Sequence, residues 1–202
     1  LLNSAVWNLD KDWTLFGRFD WSTTNNETLD IEEARSVEAS AATAYRPVKV
    51  DWLNILFRYT YLDDIAPYGL APGERERETS HVLSFSPVFE LPWNLQLVEK
   101  AAWRRIHLEV DGLPNAENDL SLWINRVNYH IVEKWDAGVE YRLLHQSLTD
   151  DWSKGTLFEL NYILATYVRL GVGYNFTSFA EDELGDFDRD AGGVFFRVTA
   201  QY

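Results

Sequence analysis

Few residues in this sequence are of a type and spacing that could do chemistry. Four histidines occur: His81, His107, His130 and His145. His81 follows Ser80, and Asp111 follows His107 after Glu109. A hydrolase needs a serine or an activated water, a histidine and an orienting polar group within hydrogen-bond reach. No spacing here matches a nucleophile motif, so His81 and His107 are expected to be rim histidines contacting polar loops, with no catalytic residue assigned. The acidic run Glu181-Asp182-Glu183-Leu184-Gly185-Asp186-Phe187-Asp188-Arg189-Asp190 raises calcium as a ligand, because Asp186, Asp188 and Asp190 could offer hard oxygen donors. It lacks the terminal acid and full spacing of an EF-hand loop. A solvated outer loop is the plainer reading, and neither a metal site nor a cofactor is expected.

Most of the remaining charge is periodic. Arg18, Asp20, Glu38, Arg46, Arg58, Lys100, Arg104, Arg126, Glu140, Arg142, Glu159, Arg169 and Arg197 stand opposite apolar residues in a period of two. Val168, Leu170, Val172, Tyr174 and Phe176 alternate with Arg169, Gly171, Gly173, Asn175 and Thr177; Leu53, Ile55, Phe57, Tyr59 and Tyr61 alternate with Asn54, Leu56, Arg58 and Thr60. Helical spacing would put arginines and aromatics on one stripe, so these are strands. The pattern predicts strands over 1–9, 13–25, 34–47, 52–63, 77–90, 94–109, 119–132, 135–148, 155–165, 167–179 and 192–202. Tight connections alternate with long acidic ones at 26–33, 64–76, 110–118, 149–154 and 180–191, the arrangement of an outer-membrane barrel.

The choice between lipid and water outside rests on three features. The apolar faces carry more large rings than a closed barrel of this size could hold inside. Trp13, Tyr45, Trp52, Trp93, Trp135, Tyr167 and Tyr202 lie beside the short turns, while Trp21, Tyr61, Trp103, Trp123 and Trp152 lie towards the long loops. Two such belts suit the two membrane–water interfaces. The charged set must then line the lumen, where it can pair across strands. Aromatics make up 15% of the chain although it is polar overall, as strands with one greasy and one wet face require. A net charge of −14 argues against nucleic acid as a partner, and the lack of cysteine rules out disulfides and thiolate metal ligands. No run of about 18 apolar residues exists to form a membrane helix. Leu1-Leu2-Asn3-Ser4 has neither a basic n-region nor a cleavage site, so a signal peptide is expected to have been processed off or to lie outside a fragment that begins at Leu1.

Some positions resist the pattern. Glu99 and Asn125 fall on the outward face, which requires either a bulge or a protein neighbour. Phe16, Leu56, Leu144, Ile163 and Phe195 fall on the inner face and hint at partial plugging, which glycines opposite them would loosen. The last strand ends on Tyr202 and resembles the C-terminal strand that outer-membrane barrels present to the assembly machinery. Eleven strands with the last running towards the periplasm imply an even-numbered barrel of about twelve. The first strand is then expected to precede Leu1, and 1–202 to be one barrel domain at the C-terminal end of a longer protein.

Several stretches carry a resemblance. They are Tyr45-Arg46-Pro47-Val48 leading into Asp51 to Asp63, His81-Val82-Leu83-Ser84, Tyr129-His130 with Glu133-Lys134-Trp135-Asp136, Glu140-Tyr141-Arg142 and Val172 to Thr177. Together they resemble the C-terminal barrels of large Gram-negative outer-membrane proteins built from repeated extracellular-type β-domains. That resemblance implies a non-catalytic anchor or scaffold barrel in the outer membrane. It would contact lipid and lipopolysaccharide, and would hold an N-terminal region or partner. A passive channel for small solutes or ions is the alternative, with an outer-membrane hydrolase behind it.

Overall fold

The computed structural model describes residues 2–26, 31–67, 74–165, 167–177 and 192–200. Eleven strands form one antiparallel sheet in chain order. They are β1 (Leu2–Asn8), β2 (Trp13–Asn26), β3 (Ile31–Tyr45), β4 (Leu53–Pro67), β5 (Arg75–Leu91), β6 (Leu95–Val110), β7 (Ala116–Val132), β8 (Trp135–Gln146), β9 (Asp151–Ala165), β10 (Val168–Asn175) and β11 (Gly193–Ala200). This is the all-β, up-and-down architecture that the alternation predicts, of a size that fits a barrel of about twelve strands. Among the described residues no helix is long and apolar enough to cross a membrane. β1 and β11 run in the same direction and are not paired with each other in the sheet.

The short turns are held by their own polar groups. Asp10 Oδ1 accepts from the backbone N–H of Asp12 and Trp13, both at 2.8 Å, and closes the β1–β2 hairpin. Between β5 and β6, Trp93 and Asn94 both adopt positive φ, at 65° and 60°. Leu91 pairs with Leu95, so the chain reverses within the three residues 92–94, two of them left-handed. A tryptophan there is sterically unfavourable, and its side chain stands 84% exposed.

At the long-loop end several strands outrun the apolar alternation. The β4–β5 ladder continues to Pro67↔Arg75, and Asp63 accepts from Arg77 at 2.8 Å and Arg35 at 2.9 Å. The alternation ends where the apolar belt ends, whereas the backbone ladder persists as long as polar pairs hold it.

Burial is inverted relative to a water-soluble sheet sandwich. Leu120, Glu159 and Ser80 are almost wholly buried, together with Glu140 and Arg142, whereas Phe57, Phe85, Trp123, Val139, Tyr141, Phe158 and Phe196 are exposed. Strand alternation puts the first set on one face and the second on the other. The sheet curls over the first face. Arg126 on β7 reaches Glu159 on β9 across β8, and a cavity of about 730 Å³ is bounded by residues from β1 through β6.

Of the two alternatives at Glu99, a bulge or a protein neighbour, the bulge does not form. The β6–β7 pairing keeps one register from Leu95↔Tyr129 to Leu108↔Ala116, with Glu99 directly opposite Asn125. On the other side Phe85↔Ala101 and Val88↔Val98 keep register too, which sets Pro87 opposite Glu99. Proline has no N–H to offer the ladder, which explains the gap in pairing there. Both polar side chains therefore remain on the outward face.

Candidate functional site

The concave face divides into two unlike halves. Midway along β6–β8 it is filled. Ala102, Leu120, Leu122, Ile124 and Leu144 form a buried cluster, with Val82 and Ile106 packed against it. The rung Ala102–Leu122–Leu144 shows the cause, because one alanine is followed by two large leucines on adjacent strands. On β1–β5 the walls are small. Arg58 stands between Ala42 and Ser84, and Arg18 between Ser4 and Ser40. The long basic side chains there have room around them, and the 730 Å³ cavity results, lined by Arg18, Arg46, Arg58 and Lys100 with Glu38. Arg18 Nε also donates to Asp20 at 2.8 Å. Arg104, further along β6, pairs with Glu78.

Towards the short turns, polar side chains of the filled half form a continuous chain. Gln96 donates to Glu90 at 2.6 Å, and Asn128 to Gln96 at 2.9 Å. Arg126 donates to Asn128 and to Glu159, each at 2.7 Å, and to Glu140 at 3.3 Å. Arg142 pairs with Glu140, and Arg197 reaches Glu159 at 3.2 Å. The chain thus runs from β5 to β11. Arg169 lies 3.7 Å from Asp136, which also accepts the His130 contact at 2.6 Å. Gln96, Arg126, Asn128, Asp136, Arg169 and Arg197 border a polar cavity of about 870 Å³.

Glycine makes this chain possible. A Cβ on Gly138 of β8 would come within 2.9 Å of Arg126 Nη2, which passes over it to Glu159. On Gly171 of β10 it would meet Asn161 Oδ1 at 2.6 Å and Glu159 Oε1 at 2.8 Å; on Gly173, the Phe195 ring at 2.3 Å. The glycines therefore do not loosen the lumen as the sequence suggested. They leave room for side chains two strands apart to meet, and for Phe195 to lie across β10.

The structure brings Arg126, Glu140, Arg142, Glu159 and Arg197 into one network, and Arg18, Glu38, Arg46, Arg58 and Lys100 around one cavity. Sequence reasoning missed Glu78, Glu90, Gln96, Asn128, Asp136 and Asn161 as parts of these clusters, although strand parity places them on the same face. At the short-turn end Trp13 packs on Tyr45 with ring centroids 4.5 Å apart, and Trp135 on Tyr162 at 4.9 Å. Trp52 and Tyr167 are exposed there with Trp93. Tyr202 and the acidic run 181–190 lie outside the described residues.

The histidines do not assemble a nucleophile. Ser80 is buried on the concave face, while His81, the next residue in the strand, turns outward to the Tyr59 hydroxyl at 2.8 Å. His107 contacts Glu109 at 3.2 Å and Glu117 at 3.5 Å, and Asp111 instead accepts the backbone N–H of Arg75. Among the described residues no group of three or more metal-ligating side chains converges.

No family profile matches the sequence, and no curated protein matches it. Solved structures do. OmpT, an outer membrane protein of Vibrio cholerae folded in vitro, superposes with a TM-score of 0.55 at 13% identity, over 98% of this chain and 62% of that one. The NanC porin gives a TM-score of 0.48 at 9% identity, over 100% of this chain and 98% of that one. The likeness to the Vibrio protein is one of fold, that of an outer-membrane β-barrel, and this chain spans 62% of that protein's length.

Proposed function

We propose that this chain is an outer-membrane barrel whose lumen, packed midway along β6–β8, leaves a narrow charged passage for small solutes or ions along β1–β5. The observation that carries this reading is the cavity of about 730 Å³ walled by serines and alanines, into which Arg18, Arg46, Arg58, Lys100 and Glu38 project. Small walls leave space, and charged side chains keep that space wet. The exposed aromatic face and the two belts of rings support the membrane setting, with the long-loop end among lipopolysaccharide and the last strand read by the barrel-assembly machinery.

Planar-bilayer recording of the reconstituted protein tests the reading. Steady unitary steps that scale with salt support it, and a silent barrel of demonstrated fold overturns it. Silence would favour the second reading, an anchor or scaffold barrel for an N-terminal region or partner. That reading draws on the resemblance to the barrels of repeat-domain proteins and on the packed, ion-paired half of the lumen. Mutation of His81 and His107, with turnover of lipid and peptide substrates unchanged, would remove the hydrolase alternative.

A further inference from the structure

Two polar side chains stand on the face that the rest of the barrel gives to lipid. Glu99 and Asn125 form one rung of the β6–β7 ladder, on the same face as Trp103, Trp123 and Val127. They lie between Trp93 at the short-turn end and Trp103 in the far belt, within the apolar band. Neither makes a hydrogen bond or an ion pair within the described structure, and Asn125 is exposed. Acyl chains offer no hydrogen bond, so a carboxyl and an amide left there carry the cost of unsatisfied polar groups in hydrocarbon. Their neighbours across the strands are Pro87 on β5 and Tyr141 on β8, so no cation comes to Glu99 from the adjoining rungs.

We infer that this face of β6 and β7 is where a second copy of the chain docks within the membrane, with the Asn125 amide of each copy donating to the Glu99 carboxyl of the other. The patch is self-complementary. An acceptor and a donor lie side by side on one rung, so a two-fold axis between them pairs each with its opposite and satisfies both. Beside them is a dent of about 210 Å³, walled by Phe57, Phe85, Trp103 and Trp123 and floored by Ala101 and Ser121. One patch thus offers both a hollow and protruding rings, as an isologous contact needs. A lipid chain could fill the dent but would leave the rung unpaired. The site lies mid-sheet, away from the β1 and β11 edges, and does not depend on whether the lumen conducts.

The chain has no cysteine, so a single introduced one reports its own surroundings. Ser121→Cys lies inside the proposed contact, two outward rungs from its axis; Ala41→Cys, on the outward face of β3, serves as the control. Treatment of the membrane-embedded full chain with a long bismaleimide, which bridges two thiols set off the axis, is expected to link Ser121→Cys into a dimer at least roughly ten-fold more efficiently than Ala41→Cys. Glu99→Leu or Asn125→Leu in the Ser121→Cys background removes both symmetric bonds, and the dimer yield should fall about ten-fold on the scale of hydrogen bonds between membrane segments. Heat-modifiable gel mobility verifies that each variant is a folded barrel. Glu99→Leu is a safe variant in this respect, because it removes a polar group from the lipid-facing surface. Equal cross-linking at positions 121 and 41, an adduct with a different protein, or a dimer yield indifferent to Glu99→Leu would each overturn the inference.

Discussion

Replacing Glu159 by leucine tests the lumen network at its most buried point. The Glu159 side chain is 1% exposed and receives Arg126 at 2.7 Å and Arg197 at 3.2 Å. Removing one partner of a buried pair costs about 3–5 kcal/mol, because the other charge is left desolvated. Here the lower end applies. Arg126 keeps Asn128 at 2.7 Å and Glu140 at 3.3 Å, and Arg197, with 47% of its side chain exposed, can turn to water. Glu159→Leu should therefore destabilise the barrel by about 3 kcal/mol, whereas Arg197→Ala should cost about 1 kcal/mol or less, as for an exposed pair. Glu159→Gln keeps shape and hydrogen bonding but loses the charge, and should fall between them at about 1–2 kcal/mol. The assay is urea unfolding in phospholipid vesicles, followed by tryptophan emission and by heat-modifiable gel mobility. Losses below about 1 kcal/mol for both Glu159 variants would mean that the network is screened by water, and the argument from burial would fail.

Other substitutions probe separate parts of the structure. Gly173→Ala places a methyl where the Phe195 ring and the Phe158 carbonyl already lie, and should cost about 1–3 kcal/mol in the same assay, the usual penalty of overpacking. If the barrel conducts, four basic side chains against Glu38 should favour anions, and Arg58→Glu with Lys100→Glu should shift the reversal potential in a salt gradient towards cations. If the tryptophans sit in two interfacial belts, as the sequence pattern expects, lipids with quenchers near the headgroups should dim their emission more strongly than mid-chain quenchers.

The alternation of residues such as Val168 to Thr177 made the strands legible, since a period of two admits one backbone and two faces. The mixed charges opposite the aromatics told which face is wet. The strand ends were less legible. Beyond Tyr61 the apolar signal stops, but Asp63 continues the ladder through Arg35 and Arg77, residues drawn from two other strands. A pattern within one strand does not record partners supplied by its neighbours.

The lumen shows the same division. Parity alone placed Arg126, Glu140, Glu159 and Arg197 on one face, but not in contact, because 33 residues separate Arg126 from Glu159 and 38 separate Glu159 from Arg197. Their meeting depends on curvature and on Gly138 and Gly171 lying between them, so glycines that seemed to open the lumen instead allow it to be bridged. Glu99 and Asn125 were visible as exceptions, and only the unbroken register of β6 with β7 decided that they face outward together. The sequence by itself determined strand, face and belt, because these follow from local periodicity and the burial preference of each side chain. Tertiary structure alone decided which charges meet and which half of the lumen is filled, because those depend on how neighbouring strands register and how far the sheet bends.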